Sequence, residues 1–336
     1  MKPEFFRLLR SLRFWVVVLA AASLPLWLPS YHLSVAILAL VYVGMALAWN
    51  VVGGIGGQIS LVHSVFLGIG AHLAAALFLT YGVNLWLAAA LAAGLAALLG
   101  VFVAYVDHRF HLGHLSFALI TLAFAEIGEL IVLGWDFVGG ASGLNLPRDQ
   151  GRFARFEFGG ARGYFWLVLV LAVACFLANL AVLNSKLGYR LRAIRDNENA
   201  AQAVGIPLLR TKATGMAISA ALMALVGTAY ARYTTFIDPY VFASPAIIIE
   251  VVLIATIGGL GTPYGPLVAA AFLVPLGEYV RGELGGVAPG LHFFIYGLLI
   301  VIVIRLMPQG VVPWLQGIAR RRRQTAARVV QHGEGA

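Results

Sequence analysis

Ten long apolar runs, separated by short connections, constrain the fold of this 336-residue chain more than any other feature. A transmembrane α-helix needs about 20 mainly apolar residues to cross a hydrocarbon core about 30 Å thick. Charged residues make up only 11% of the sequence, whereas a soluble domain carries about 25%. We therefore predict an all-α fold, a polytopic membrane helical bundle with about ten transmembrane segments, some of them discontinuous. The runs are 14–29, 33–52, 59–80, 85–106, 115–134, 164–184, 212–231, 246–257, 265–281 and 290–306.

The run 246–257 is the shortest of the ten. Its 12 residues extend about 18 Å as a helix, at 1.5 Å per residue, which is less than the thickness of the hydrocarbon core. We therefore predict either a half-helix or one arm of a broken pair formed with the next run. The sequence leaves both alternatives open.

The basic residues predict which ends of the helices face the cytoplasm. With the N-terminus inside, 17 of the 23 Lys and Arg residues fall in cytoplasmic segments and 6 in periplasmic segments, as is typical of membrane proteins. The net charge of +9 therefore reflects topology and does not indicate a nucleic-acid partner. We predict a single transmembrane domain, 1–336, with both termini cytoplasmic. Its parts outside the membrane are the N-terminus 1–13, a periplasmic loop 135–163, a cytoplasmic loop 185–212 and a basic cytoplasmic tail 307–336.

Two similar glycine clusters interrupt the apolar pattern, 53–56 (GGIG) and 258–261 (GGLG). Backbone that leaves the helical pattern inside a membrane is tolerated only beside protein or water, and paired broken helices mark the binding site of many transporters. We therefore predict a translocation path near the two clusters, although chance similarity and ordinary interhelical hydrogen bonding are competing explanations. The candidate residues are Asn50, Gly53, Gly54, Gly56, Gly57, Gln58, Ser60, His63, Thr121, Glu126, Glu250, Gly258, Gly259 and Gly261.

Three carboxylates lie within apolar runs: Glu126, Glu129 one turn later, and Glu250. Ionisable residues within transmembrane helices are costly and usually face the interior of the bundle. These carboxylates either line a polar path or brace helices through hydrogen bonds, and the sequence does not decide between the two roles.

The cytoplasmic loop 185–212 contains the signals of a short helix. Asp196 and Asn197 are both suited to cap its amino-terminal end, and Gly205 followed by Pro207 stops it. We predict a helix over 198–204, with small side chains that let its backbone approach a partner closely. An ordinary basic loop is the alternative interpretation.

The stretch 188–198 (GYRLRAIRDNE), followed by Ala200-Ala201 and Gly205-Ile206, closely resembles the coupling loop of branched-chain amino acid permeases of ATP-binding-cassette importers. Three further stretches resemble the same family: 50–70, 121–143 and 257–265. The resemblance implies that the loop transmits ATPase movement to the spans. The implied coupling residues are Gly188, Arg190, Arg192, Ala193, Arg195, Asp196, Asn197, Glu198, Ala200, Ala201, Val204 and Gly205.

The resemblance also implies a complex in a bacterial inner membrane. The expected partners are a second permease subunit, two ATPase subunits that bind ATP-Mg, and a periplasmic solute-binding protein. The expected cargo is branched-chain or other hydrophobic amino acids, or related amides, urea and small organic acids. The chain itself is not expected to be an enzyme or to hold a cofactor, because it lacks the phosphate-binding motif G-x-x-x-x-G-K-[ST] and has Gln58 where the closest glycine cluster would need Lys.

Two other transport mechanisms are compatible with parts of the sequence. The carboxylates and the paired glycine clusters also suit an ion-coupled secondary transporter, but such a carrier has no need of a docking helix in loop 185–212. A permease for simple sugars is the second alternative.

Three histidines, His108, His111 and His114, occur at a spacing of three. They could form a metal-binding face of a helix, but we favour the interpretation that they are polar residues at the membrane interface. No metal site is therefore predicted.

Overall fold

The computed structural model describes residues 12–147, 149, 151–153, 156–242, 245–284, 291–307 and 309–318, and it confirms the predicted helical class. Within these residues the only sheet is an antiparallel pair of two-residue strands, β1 (Leu144–Asn145) and β2 (Phe236–Ile237). The helices are α1 (Leu12–Trp27), α2 (Ser30–Ile55), α3 (His63–Tyr81), α4 (Leu85–Phe110), α5 (His114–Gly134), α6 (Ala161–Leu183), α7 (Lys186–Asp196), α8 (Glu198–Ala203), α9 (Leu208–Thr234), α10 (Pro239–Phe242), α11 (Pro245–Gly258), α12 (Tyr264–Leu284), α13 (Leu291–Leu306) and α14 (311–318).

Six of the described helices are long and apolar enough to cross a membrane: α2, α3, α4, α5, α6 and α9. The other four predicted runs also lie on helices, α1, α11, α12 and α13. Three of these four have 16 residues or fewer, and the longer α12 ends in a charged segment. The number of segments that cross the bilayer therefore stays a prediction. Residues 1–11 and 319–336, which hold most of the two predicted cytoplasmic ends, lie outside the described residues.

Helix α2 lies at the centre of the bundle. Every residue of 41–56 is buried, and the helix packs against α6, α9, α11 and α12. A helix that is apolar on all sides suits a position surrounded by other helices. The only cysteine of the chain, Cys175 on α6, is fully buried in the same core.

The most extensive helix contact joins α4 to α9. Small residues recur on α4 at every fourth position, so they form one stripe along the helix. The whole stripe is buried, and its first two members pack with Ala74 of α3 and Phe156. At Gly100 a Cβ atom would lie 3.0 Å from the carbonyl oxygen of Met216. Small side chains allow the two backbones to approach, as is common between membrane helices. The stripe is Ala88, Ala92, Ala96, Gly100 and Ala104.

Helix α11 and helix α12 pack against each other on either side of the glycine turn 259–263. Gly259 and Gly261 adopt φ values of +116° and +75°, which side chains other than glycine rarely accept. The structure thus places the short run 246–257 beside its successor. Whether α11 is a half-helix or one arm of a broken pair stays a prediction.

The connections predicted to be cytoplasmic lie together at one end of the bundle, which we call the coupling end (53–61, 107–113, 184–207, 258–263 and 309–318). Gln58 hydrogen-bonds to Asp107, and Gly259 lies against Pro313 of α14. Connections predicted to be periplasmic meet at the opposite end, where β1 pairs with β2. The predicted alternation of the helices agrees with this arrangement.

The predicted periplasmic loop 135–163 is folded in its described part. It contains two 3-10 turns, Asp136–Val138 and Gly140–Ser142. The buried Glu157 lies 3.6 Å from Arg232 at the end of α9. Trp86 of α4 donates a hydrogen bond to the carbonyl of Phe153. The loop is therefore a small packed module on the ends of α4 and α9. Arg148 and Arg155 lie outside the described residues.

Asp149 organises the second half of this loop. Its carboxylate accepts hydrogen bonds from the backbone N–H groups of Gly151 (2.6 Å), Phe158 (3.0 Å) and Gly159 (3.0 Å). Partial burial acts to raise the pKa of Asp149, but the hydrogen bonds outweigh it and hold this pKa below its ordinary value. The resulting stabilisation is present above the unfolded-state pKa and is lost as the pH falls through the lower, folded-state pKa.

We expect Asp149→Asn to loosen the loop without disturbing the helices, because the amide is a weaker acceptor than the carboxylate. Hydrogen exchange at Phe158 and Gly159 should become faster, on the order of threefold. In the unchanged protein, the protection of these two N–H groups, relative to their intrinsic exchange rates at each pH, should fall by the same factor below the folded-state pKa of Asp149. Unchanged exchange in both experiments would contradict the role given to Asp149.

Candidate functional site

The predicted coupling loop, 185–212, contains two helices, α7 and α8, whereas the sequence predicts one. The predicted helix over 198–204 is confirmed as α8, Glu198–Ala203, and the side chain of Asn197 caps it by accepting the N–H of Ala200 at 2.9 Å. Helix α7 was not predicted, although Ser185 caps it and accepts the N–H of Gly188 at 3.3 Å. Asp196 is the last residue of α7, so Asn197 alone is the cap of α8. Gly205 follows α8 in a left-handed conformation, with φ +83°.

The orientation of α8 differs from the prediction. Ala201 was expected on the surface offered to a partner, but it is only 3% exposed and packs against Ile194 and Leu208. The exposed side of α8 carries small or uncharged side chains and ends at Val204, which is 77% exposed. We call this surface the α8 face. It consists of Asn199, Ala200, Gln202, Ala203 and Val204.

The arginines of α7 have different environments. Arg190 is exposed. Arg192 stacks over the ring of Tyr189 and donates hydrogen bonds to the carbonyls of Gly188 and Leu183, so it caps the end of α6. Arg195 turns toward the bundle and donates to the carbonyl of Gly54 at 3.3 Å. Arg195 therefore connects the predicted coupling loop with the predicted path.

Two further predicted coupling residues, Gly188 and Ala193, contact neighbouring helices. A Cβ atom on Gly188 would lie 2.2 Å from the carbonyl oxygen of Val182. Ala193 is half-buried and packs beside the cluster of Ile194, Ala201 and Leu208. These contacts fix α7 against the end of α6 and α8 against α7.

The two glycine clusters meet in the structure. Helix α2 ends in a π-helical turn, Val51–Ile55, that carries Gly53 and Gly54. A Cβ atom on Gly54 would lie 2.5 Å from the backbone nitrogen of Gly261, so the two backbones touch because neither residue has a side chain. Arg195 covers this contact, since its aliphatic stem lies over Gly57.

Asn50 holds the contact between the clusters. Its side-chain oxygen accepts the N–H of Gly261 at 3.0 Å, and its nitrogen donates to Thr262 and Asn179. The glycines around this contact also lie against neighbouring groups that leave no room for a side chain. Gly53 packs under the ring of Trp49, Gly56 on the carbonyl of Val52, Gly258 on Gly265 and Gly259 on Pro313.

The polar candidates near the first cluster make hydrogen bonds between helices. His63 bridges Ser60 (3.0 Å) and Ser219 of α9 (2.7 Å). The hydroxyl of Thr121 on α5 accepts the N–H of Leu61 at 3.1 Å. These contacts are interhelical hydrogen bonds, the competing explanation that the sequence leaves open for these residues. Whether any of these groups also faces a moving solute stays a prediction.

The acidic candidates do not share one site. Glu250 is buried, accepts a hydrogen bond from Tyr42 and lies 3.8 Å from Arg281. The side chain of Glu126 is exposed on α5 within this chain, so its role in a path or at a subunit interface stays a prediction. Only 17% of the most apolar stretch of α5 is buried. Glu129 on the same helix is half-buried.

Sequence reasoning missed a buried ion cluster at the coupling end. The ammonium group of Lys212 lies 2.8 Å from Asp107 and 2.8 Å from Glu198. Gln58 also donates to Asp107, at 2.8 Å. The only signal in the sequence was that Asp107 ends one apolar run and Lys212 begins another, so that two opposite charges fall at the same predicted end.

The three histidines do not form a metal-binding face. Helix α4 ends at Phe110, and His111 adopts a left-handed conformation with φ 51°, so His114 belongs to the next helix. The rings of His108 and His111 are 6.1 Å apart. In the part of the chain that the structure describes, no three His, Cys, Asp or Glu side chains are grouped as metal ligands would be.

Sequence comparisons agree with the resemblance of the coupling loop. The family described as "Branched-chain amino acid transport system / permease component" matches residues 31–304. The high-affinity branched-chain amino acid transport system permease protein LivM of Escherichia coli is 27% identical over 323 residues, which is 88% of this chain and 73% of the relative. A probable branched-chain amino acid transport permease protein LivM of Methanocaldococcus jannaschii is 28% identical over 204 residues, 57% of this chain and 58% of the relative.

No solved structure matches the chain significantly. The family match covers most of the sequence and includes both glycine clusters, α7 and α8. The chain therefore belongs to the family of permease components of branched-chain amino acid transport systems.

Proposed function

We propose that this chain is one of two permease subunits of an ATP-binding-cassette importer in a bacterial inner membrane, with both termini in the cytoplasm. The importer translocates branched-chain or other hydrophobic amino acids, or related small solutes, that a periplasmic solute-binding protein delivers. Two separate ATPase subunits bind ATP-Mg and supply the energy. This chain contributes the coupling loop and one side of the path.

The observation that carries this proposal is the connection between α8 and the glycine clusters. The α8 face is exposed, small and uncharged, so it can enter a groove of an ATPase subunit without burying a charge. Helix α8 packs against α7, and Arg195 of α7 donates to Gly54, where the two clusters touch. A movement of α8 therefore acts on the point where the path is proposed to close.

Helix α5 supports the assignment of a second permease subunit. It is the least buried of the six long apolar helices, and Glu126 is exposed on it. An ionised carboxylate in contact with lipid is costly. We propose that the partner permease covers α5 and shields Glu126, and that the path runs between the two subunits.

The test is to express the tagged chain with its partner subunits, purify the complex and reconstitute it in vesicles. Radiolabelled leucine is the probe, and uptake is measured with and without ATP and solute-binding protein. We expect ATP-dependent uptake by the unchanged chain. We expect Val204→Asp to insert normally and to retain less than about a tenth of the ATPase subunits, because a carboxylate would be buried in the contact.

Val204→Ala is the matched control, since it keeps the α8 face small and uncharged. It should assemble and transport as the unchanged chain does. If Val204→Asp retained the ATPase subunits in full, the coupling assignment would be refuted. Leucine uptake driven by an ion gradient, without ATPase subunits, would replace the importer by an ion-coupled carrier.

A further inference from the structure

A buried lysine joins α8 to the transmembrane bundle. The Lys212 ammonium on α9 lies 2.8 Å from Asp107 of α4 and 2.8 and 2.9 Å from the two carboxylate oxygens of Glu198, the first residue of α8. Lys212 is 3% exposed and Asp107 is 1% exposed, whereas Glu198 is 37% exposed. Lys212 therefore connects a fixed carboxylate inside the bundle with a carboxylate on the coupling helix.

The connection continues from Asp107 to the first glycine cluster. The carboxylate oxygen of Asp107 that binds Lys212 also accepts a hydrogen bond from Gln58 at 2.8 Å. Gln58 lies two residues after Gly56, the last residue of this cluster. The second oxygen of Asp107 is buried and makes no hydrogen bond to the described residues. A continuous polar chain thus leads from α8 to the end of the first cluster through Glu198, Lys212, Asp107 and Gln58.

Stability alone does not account for such a cluster. A buried ion pair is often no more stable than apolar residues of the same volume, because both charges lose their hydration. Such a pair does provide directional hydrogen bonds, and these hold each element in one position. Arg195 of α7 and Gly54 form a second link to the first glycine cluster, and α8 packs against α7, so the α7–α8 pair is held at two points.

We propose that Lys212 is a positioning residue for energy coupling: it fixes α8 relative to the first glycine cluster, so that a movement of α8 reaches the cluster through Asp107 and Gln58. The inference rests on the proposed function, and it adds a specific transmission residue outside the docking helix. Glu198 is the acceptor on the moving side and Asp107 the acceptor on the fixed side.

Three variants separate positioning from simple charge neutralisation. Lys212→Met leaves Asp107 buried without its cation, so we expect a lower yield of folded protein. Lys212→Met/Asp107→Asn removes both charges and should restore the yield, but α8 still lacks its link. Glu198→Gln keeps the buried pair and weakens only the contact on α8. Arg109→Met is the control, because it removes an exposed charge near Asp107 on the same helix.

Each variant is reconstituted with its partner subunits, and the leucine imported per ATP hydrolysed is measured. We expect this ratio to fall about tenfold in the double variant and about threefold in Glu198→Gln, with normal assembly in both. Arg109→Met should match the unchanged protein. An unchanged ratio in Glu198→Gln or in the double variant would overturn the inference. Failure of the unchanged protein to assemble with ATPase subunits would instead refute the proposed function.

Discussion

Replacing Gly54 with valine should abolish leucine uptake in the reconstituted system. A Cβ atom at this position would lie 1.8 Å from the side-chain oxygen of Asn50 and 2.5 Å from the backbone nitrogen of Gly261. Both groups would have to move, and the hydrogen bond that joins them would break. Overpacking of this kind costs about 1–3 kcal/mol or more, and here the displaced group is backbone. Uptake and the yield of folded protein are the measurements.

Gly94→Val is the matched control for Gly54→Val. Gly94 lies in the middle of α4, is exposed, and has open space where a Cβ atom would be placed. This variant should keep the yield and uptake of the unchanged protein. Normal transport by Gly54→Val would show that the two clusters do not need their close backbone contact.

Ala201→Asp should also eliminate uptake, but for a different reason than Val204→Asp. Ala201 is buried between Ile194 and Leu208, so the substitution would place a carboxylate in an apolar cluster, at a cost of about 3 kcal/mol. We expect α8 to detach from α7 and the whole segment 197–205 to lose its protection from hydrogen exchange. Val204→Asp should leave that protection intact when the chain is purified alone.

The comparison of these two variants tests the orientation of α8. If Ala201→Asp retained normal exchange and lost only the ATPase subunits, Ala201 would lie on the docking surface, as the sequence alone suggested. If both variants lost protection, α8 would depend on Val204 for its own packing, and the α8 face would need to be redefined.

The positions of the helices could be predicted because they depend on local properties of the chain. Run length and polarity locate the apolar helices, and the Asn197 cap with Gly205 and Pro207 locates α8. The sequence also contains a signal for helix α7: Gly188, Leu191 and Ile194 recur at a spacing of three, and the structure buries all three. Its arginines suggested an unstructured basic loop.

The remaining features depend on contacts between distant residues. Lys212 and Asp107 are 105 positions apart, and no local pattern pairs them. Three of the six residues of α8 are alanines and the other three are polar, so no apolar stripe identifies Ala201 as the buried alanine. For Glu126, the expectation that membrane carboxylates face protein applies to an assembled complex, and this subunit by itself leaves the residue uncovered.

The burial of Cys175 makes the natural sequence suitable for spectroscopic labelling. It is the only thiol in the chain, and its side chain is fully enclosed by the core, so thiol reagents should not modify the folded protein. A cysteine introduced at Arg190 of α7 and another at Leu260, both exposed, would then accept a pair of spin labels or dyes with no background from this chain. Because α8 packs against α7, the distance between the two labels would report how far the α7–α8 pair moves relative to the second glycine cluster during each ATP cycle.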